Sequence, residues 1–348
     1  MKYFLLLLTG LSITSISFAK SWRINNNAGV NANFTSIYDA VNSASVTNGD
    51  SLYIEPSVVD YVTNSMTIGK RLTFIGPGYL LDPASTNAPG NSGLQVLTAD
   101  SRLGFLRLNA GASGSKFIGV TLTGMYFNGA SNVTFERVGF TGSPYFESGT
   151  NDAITFRKCF FLNNGFSNAA AVIITNFVCE NNAFYGYCNI GMDQLTGTGN
   201  LFRNNSIYGS AYGVVLLNTY IANNIFGTYA SCTFTNSTVK NNLFQANQTL
   251  SGTATGNTLN VDMSTVYVGG STGSLDSRMV LKAGSPAKGT GLTVGTVVNP
   301  DMGAFGATDP YRLSGIPNIP SIYTLTVPTS IPSGSATMNI TFSTRNNN

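Results

Sequence analysis

The feature that most restricts this chain is a recurrence. "CENNAFYG" (179–186), "FRNNSIYG" (202–209), "IANNIFGT" (221–228) and "VKNNLFQA" (239–246) each hold two adjacent asparagines, with a large apolar residue two places on. Upstream, "FERVGF" (135–140) and "FRKCFF" (156–161) fit the same frame. The fourth residue of each unit is then Val138, Cys159, Asn182, Asn205, Asn224 and Asn242, at successive spacings of 21, 23, 23, 19 and 18 residues. Phe140, Phe161, Phe184, Ile207, Phe226 and Phe244 stand two places later. A period of roughly 20–50 residues marks a solenoid, in which each unit buries its apolar face only against its neighbours.

A unit this short has no room for a helix. One turn holds the apolar stretches "AAVIIT", "FVC" and "AFY", a later one "GVVLL", "YIA" and "NIF", with polar bends between them. Three short strands per turn describe a parallel β-helix with about 21 residues per rung, in which equivalent positions stack about 4.8 Å apart. A bend between strands favours a residue that tolerates the left-handed region, and asparagine does so better than most. Stacked asparagines also hydrogen-bond up a column, so Asn182, Asn205, Asn224 and Asn242 read as a structural ladder that Val138 and Cys159 interrupt at its upper end. The Phe/Ile column reads as stacked core. The second residues of the units, Glu136, Arg157, Glu180, Arg203, Ala222 and Lys240, alternate in sign along most of their length, as a surface ion ladder requires.

Composition agrees and removes several functions. The 38 glycines and the many Asn, Ser and Thr residues favour turn-rich β structure, and four glutamates are too few for solvated helices. A net charge of +3 with singly scattered basic residues gives no footing for nucleic acid. Lys2 followed by "YFLLLLTGLSITSISF" and a small-residue cut after Ala19 reads as a cleavable export signal, residues 1–19, and no second apolar run of spanning length follows. The expected product is secreted or held at the cell surface. Cys159, Cys179, Cys188 and Cys232 lack metal-ligand spacing and there is no histidine, so they read as buried free thiols and no metal site is expected.

Residues 33–79 read as "NFTSIYDAVNSASVTNGDSLYIEPS" and then "MTIGKRLTFIGPGY": a short amphipathic helix (Phe34 to Ala44), a Gly49-Asp50 turn, a strand ending at Pro56 and a second strand at Lys70–Gly76. "LKAGSPAKGTG" (281–291) and "NPDMGAFG" (299–306) stand near the other end. These segments resemble the N-terminal cap and closing segment of secreted right-handed parallel β-helix proteins of the pectate-lyase-like superfamily, of the bacterial surface type. The resemblance implies one all-β domain over residues 20–306 with a helical cap. Residues 307–348 then form a Pro-rich linker and a C-terminal β-hairpin tail, which either caps the solenoid's open end or pairs with a partner.

An enzyme on such a scaffold needs converging charge. The acidic residues between 103 and 260 that the ion ladder leaves over are Glu147, Asp152 and Asp193, the candidate catalytic set. A lyase would gather such carboxylates around Ca²⁺ with an Arg or Lys base, and a hydrolase would need a carboxylate pair. The residue patterns that the superfamily's hydrolases use are absent. The favoured expectation is therefore a non-catalytic extracellular or surface protein that contacts polysaccharide or another surface component, with a polysaccharide lyase as the alternative. Tyr185, Tyr187, Tyr208 and Tyr212 are the candidate ligand-binding residues, because Tyr185 and Tyr208 share a repeat position and their rings offer a surface for a sugar, unless they pack on each other.

Overall fold

The computed structural model describes residues 19–61, 64–209, 211–229 and 231–347, with Ala211 and Tyr212 described in backbone only. The export signal expected at residues 1–19 therefore lies, apart from Ala19, outside the described residues.

The chain coils into an all-parallel β-solenoid. One rung shows the plan: Val178–Glu180 lies in the first sheet, Ala183–Tyr185 in the second and Cys188–Met192 in a third, before Asn200–Arg203 rejoins the first. The first and second sheets each have eleven strands, and the third side is shorter and broken. Register follows the repeat. Cys179 pairs with Phe202, Phe184 with Ile207 and Tyr185 with Tyr208.

The core consists of columns of rings. Phe140 and Phe161 stack with centroids 4.8 Å apart, Phe161 and Phe184 at 4.5 Å, and Phe226 and Phe244 at 4.7 Å. A second column, Phe74, Phe117, Phe135 and Phe156, stacks at 4.5, 5.0 and 4.8 Å. Each buried ring stabilises the coil by roughly 1.5–3 kcal/mol through burial alone. All four cysteines are buried and free among these side chains.

The asparagine pair divides its labour. The ladder is made by the second residue: Nδ2 of Asn182, Asn205, Asn224 and Asn242 donates to Oδ1 of the next rung at 2.9–3.0 Å, and the series runs one step further than its sequence frame, to Asn257. The left-handed bend is made by the first residue: Asn181, Asn204, Asn223 and Asn241 have φ of 47–57°. The expectation that the ladder residues themselves turn the corner is thus corrected. A side chain that must point inward for the ladder leaves the bend to its neighbour. On earlier rungs Arg137 and Lys158 take the same left-handed position.

The end segments depart from expectation in three ways. The cap helix is shorter, Ile37–Asn42, because the Ser36 side chain accepts from the Asp39 N–H and starts it there. Phe34 instead bridges to Ile24 and packs on Trp22. The coil also ends early, with Thr253–Thr255 as its last strand in the first sheet and a bridge from Leu243 to Thr258 in the second. Residues 281–306 are not rungs. They belong to a strap that runs back along the left-handed corner toward the N-terminal end: Asn241 Nδ2 donates to Thr290 O, Asn223 Nδ2 to Leu292 O, Asn181 Nδ2 to Ala304 O and Gly306 O, and Arg137 Nη1 to Ile316 O. Finally, the hairpin, Ser321–Thr326 with Thr341–Arg345, does not cover the open end of the coil. The strap delivers it beside residues 94–96, where Val96 N–H donates to Ile322 O.

Candidate functional site

The ion ladder forms around Glu180, whose carboxylate lies between Arg157 Nε at 3.4 Å and the Arg203 guanidinium. Glu136 pairs instead with Lys158 Nζ at 2.7 Å, and Lys158 also holds Asp309 of the strap at 2.6 Å. Cations and carboxylates neutralise one another here while fastening the strap to the coil. This is an architectural use of the charges.

The three candidate catalytic carboxylates are each engaged by a local partner. Glu147 forms an ion pair with Arg107 Nη2 at 2.9 Å. Asp152 accepts from Thr175 Oγ1 and Asn176 Nδ2, both at 2.6 Å, and these donors hold its carboxyl below the usual range. Asp193 accepts from Asn168 Nδ2 at 2.6 Å. Each thus serves a different local contact. Among the described residues no three Cys, Asp or Glu side chains gather as a metal site would need, so the residues present do not make the calcium cluster that a lyase of this type uses.

The tyrosines do converge. Tyr185 and Tyr208, paired on adjacent strands, stack with centroids 5.4 Å apart and planes 23° from parallel. The column stops at Gly227, the next residue in register, where a Cβ would lie 2.5 Å from Ile207 O. The space so left is filled from outside by the start of the strap. Asp262 caps the short helix Met263–Val266, and Tyr267 then meets Tyr208 edge-on at 5.3 Å. Further along, Arg278 Nη1 donates to the Tyr185 hydroxyl at 3.1 Å. The strap thus walls a groove beside Tyr208, with Tyr185 outside it. The two rings, which the sequence left either open to solvent or packed together, pack on each other.

That groove has a volume of about 690 Å³, and its lining includes Tyr208, Tyr229, Gln245, Met263, Tyr267 and Lys282. Tyr229, 80% exposed, stands at its rim, while Tyr267 is buried in its wall. The groove offers ring faces, amide and hydroxyl groups and one ammonium, the mix that binds a polyhydroxylated ligand. Tyr187 is exposed beyond the next corner and does not line the groove, and the side chain of Tyr212 lies outside the described residues. Sequence reasoning missed Gln245, Met263, Tyr267 and Lys282 as groove residues. The last three lie beyond the coil, on a strap with no repeat to betray its path.

A second concavity, about 340 Å³, lies nearer the N-terminal end, with Asp82, Asp100, Arg102 and Thr121 in its lining. Burial pushes the Asp100 carboxyl up, against a hydrogen bond from Thr121 Oγ1 at 2.7 Å. Asp100 precedes the repeated units, so their spacing does not point to it.

No protein-family model matches this chain, and no curated protein is significantly similar to it. Among the described residues no helix is long and apolar enough to cross a membrane.

Proposed function

We propose that this is an exported, non-catalytic solenoid of the right-handed pectate-lyase-like kind that binds polysaccharide outside the cell, and that the tyrosine groove is its binding site. The observation that supports the reading best is that Tyr208, stacked on Tyr185, lines a cavity of about 690 Å³ beside the exposed ring of Tyr229. Pyranose rings present apolar C–H faces that lie on aromatic rings, and their hydroxyls seek groups such as Gln245 and Ser264, which line the same groove. Lys282 adds a positive charge, fixed by donation from its Nζ to Ser264 O at 2.6 Å.

The test is retention on a panel of insoluble and gel-embedded polysaccharides. Tyr229→Ala should weaken binding about 3- to 10-fold, the worth of one stacked ring, while leaving the melting temperature unchanged. Equal retention of Tyr229→Ala and the unaltered chain on every glycan that binds would remove the groove from consideration.

A further inference from the structure

The hairpin sits outside the solenoid and leaves much of its apolar surface in water. Ile322, Leu325, Val327, Met338, Ile340 and Phe342 are each at least 39% exposed. One edge is partly occupied: Val96 N–H donates to Ile322 O at 2.9 Å. Arg345 reaches Leu94 O and lies over the Tyr323 ring at 5.4 Å. The other edge, Thr341–Arg345, pairs with Ser321–Thr326 and with no other strand among the described residues. A two-stranded hairpin is marginal by itself, and free edges are normally blunted by lysine, proline, bulges or a covering loop. Here Thr341–Arg345 has no proline or lysine, and the one irregularity in register lies across from it, around Tyr323. The N-terminal edge of the coil, by contrast, is partly covered by Phe34 bridging to Ile24.

We propose that Thr341–Arg345 pairs antiparallel with the same strand of a second copy of this chain, joining two hairpins into a four-stranded sheet. Pairing along the full five residues places Ser343 opposite itself, Phe342 opposite Thr344 and Arg345 opposite Thr341. No like charges meet, because Arg345 is the only charged residue between 321 and 345. A surface that binds its own copy must be complementary to itself, and an uncharged strand paired about its centre meets that condition. The scarcity of charge also argues against a lipid surface, which recruits segments rich in Lys and Arg. Pairing over five residues with Phe342 as the one large apolar side chain on the strand buries far less than the ~800 Å² per partner of a standard interface. The dimer is accordingly weak, and strand pairing supplies part of its affinity.

A site-specific cross-link tests this in the full mature chain. Across a two-fold axis the Ser343 Cα atoms lie about 4.5–5.5 Å apart, within disulfide range. The native thiols do not compete, since all four are buried and those of Cys159, Cys188 and Cys232 are pushed up to about 12. Under mild oxidation Ser343→Cys should form a covalent dimer, and Thr326→Cys on the other hairpin strand should not. Sedimentation velocity should show dimerisation in roughly the 1–100 µM range, weakened at least about tenfold in Phe342→Lys at an unchanged melting temperature. A chain that stays monomeric at the top of that range, a dimer unaffected by Phe342→Lys, or equal cross-linking of the two cysteine variants would each overturn the proposal. In the first case the edge serves a different partner or none.

Discussion

Truncating Asn205 to alanine probes the ladder at its most enclosed point. Asn205 Oδ1 accepts from the Asn182 N–H and from Asn182 Nδ2, both at 3.0 Å. Its own Nδ2 donates to Cys179 O at 2.9 Å and to Asn224 Oδ1 at 3.0 Å. The residue has no solvent exposure, so no water replaces what is lost. The Asn182 N–H is left without its partner, which costs about 1–3 kcal/mol, and the remaining amide bonds and the small void add about 2 more. The expected loss is about 3–5 kcal/mol. In a solenoid of this length that lowers the melting temperature by about 4–8 °C, measured by circular dichroism. Asn257→Ala removes the same chemistry from the ladder's last, half-buried step, where water substitutes, and should cost less than about 1.5 kcal/mol. If the two variants melt within a degree of each other, burial of the ladder is not what gives it strength and the reasoning fails.

Two further outcomes follow from the strap and from the second concavity. Asn181→Gly keeps the left-handed corner, where φ is 55°, but removes the donations to Ala304 O at 3.0 Å and Gly306 O at 2.8 Å. Amide hydrogen exchange across residues 301–309 should accelerate with little change in melting, and unaltered exchange would show that the corner amides do not hold the strap. Burial raises the Asp100 carboxyl above its unfolded value near 3.9, so its stabilising contribution is complete below that pH and is lost as pH rises through the folded value. Asp100→Asn should therefore melt higher than the unaltered chain at pH 7 by a margin that shrinks at pH 3, and an equal margin at both would contradict the assignment.

The Asn-Asn pairs were legible because their cause is local. Each rung meets the next through identical positions, so the period in the chain is the period in space, and Asn182, Asn205, Asn224 and Asn242 could be aligned without coordinates. Pairing alone did not say which asparagine turns the corner, since both tolerate it and only the direction of the side chain decides. Spacing is equally silent about the acidic candidates. Glu147, Asp152 and Asp193 are each engaged by a neighbour, Arg107, Thr175 and Asn168 respectively, that spacing does not reveal.

By itself the sequence determined the solenoid, its asparagine ladder, its ring columns and the registered Tyr185–Tyr208 pair. Tertiary structure alone decided the path of the strap, the walls it gives the groove and the place where the hairpin is set down. Coil contacts repeat at every rung and so write their spacing into the chain. The strap's contacts, such as Asn181 with Ala304 across 123 residues and Arg137 with Ile316 across 179, occur once each and leave no period to read.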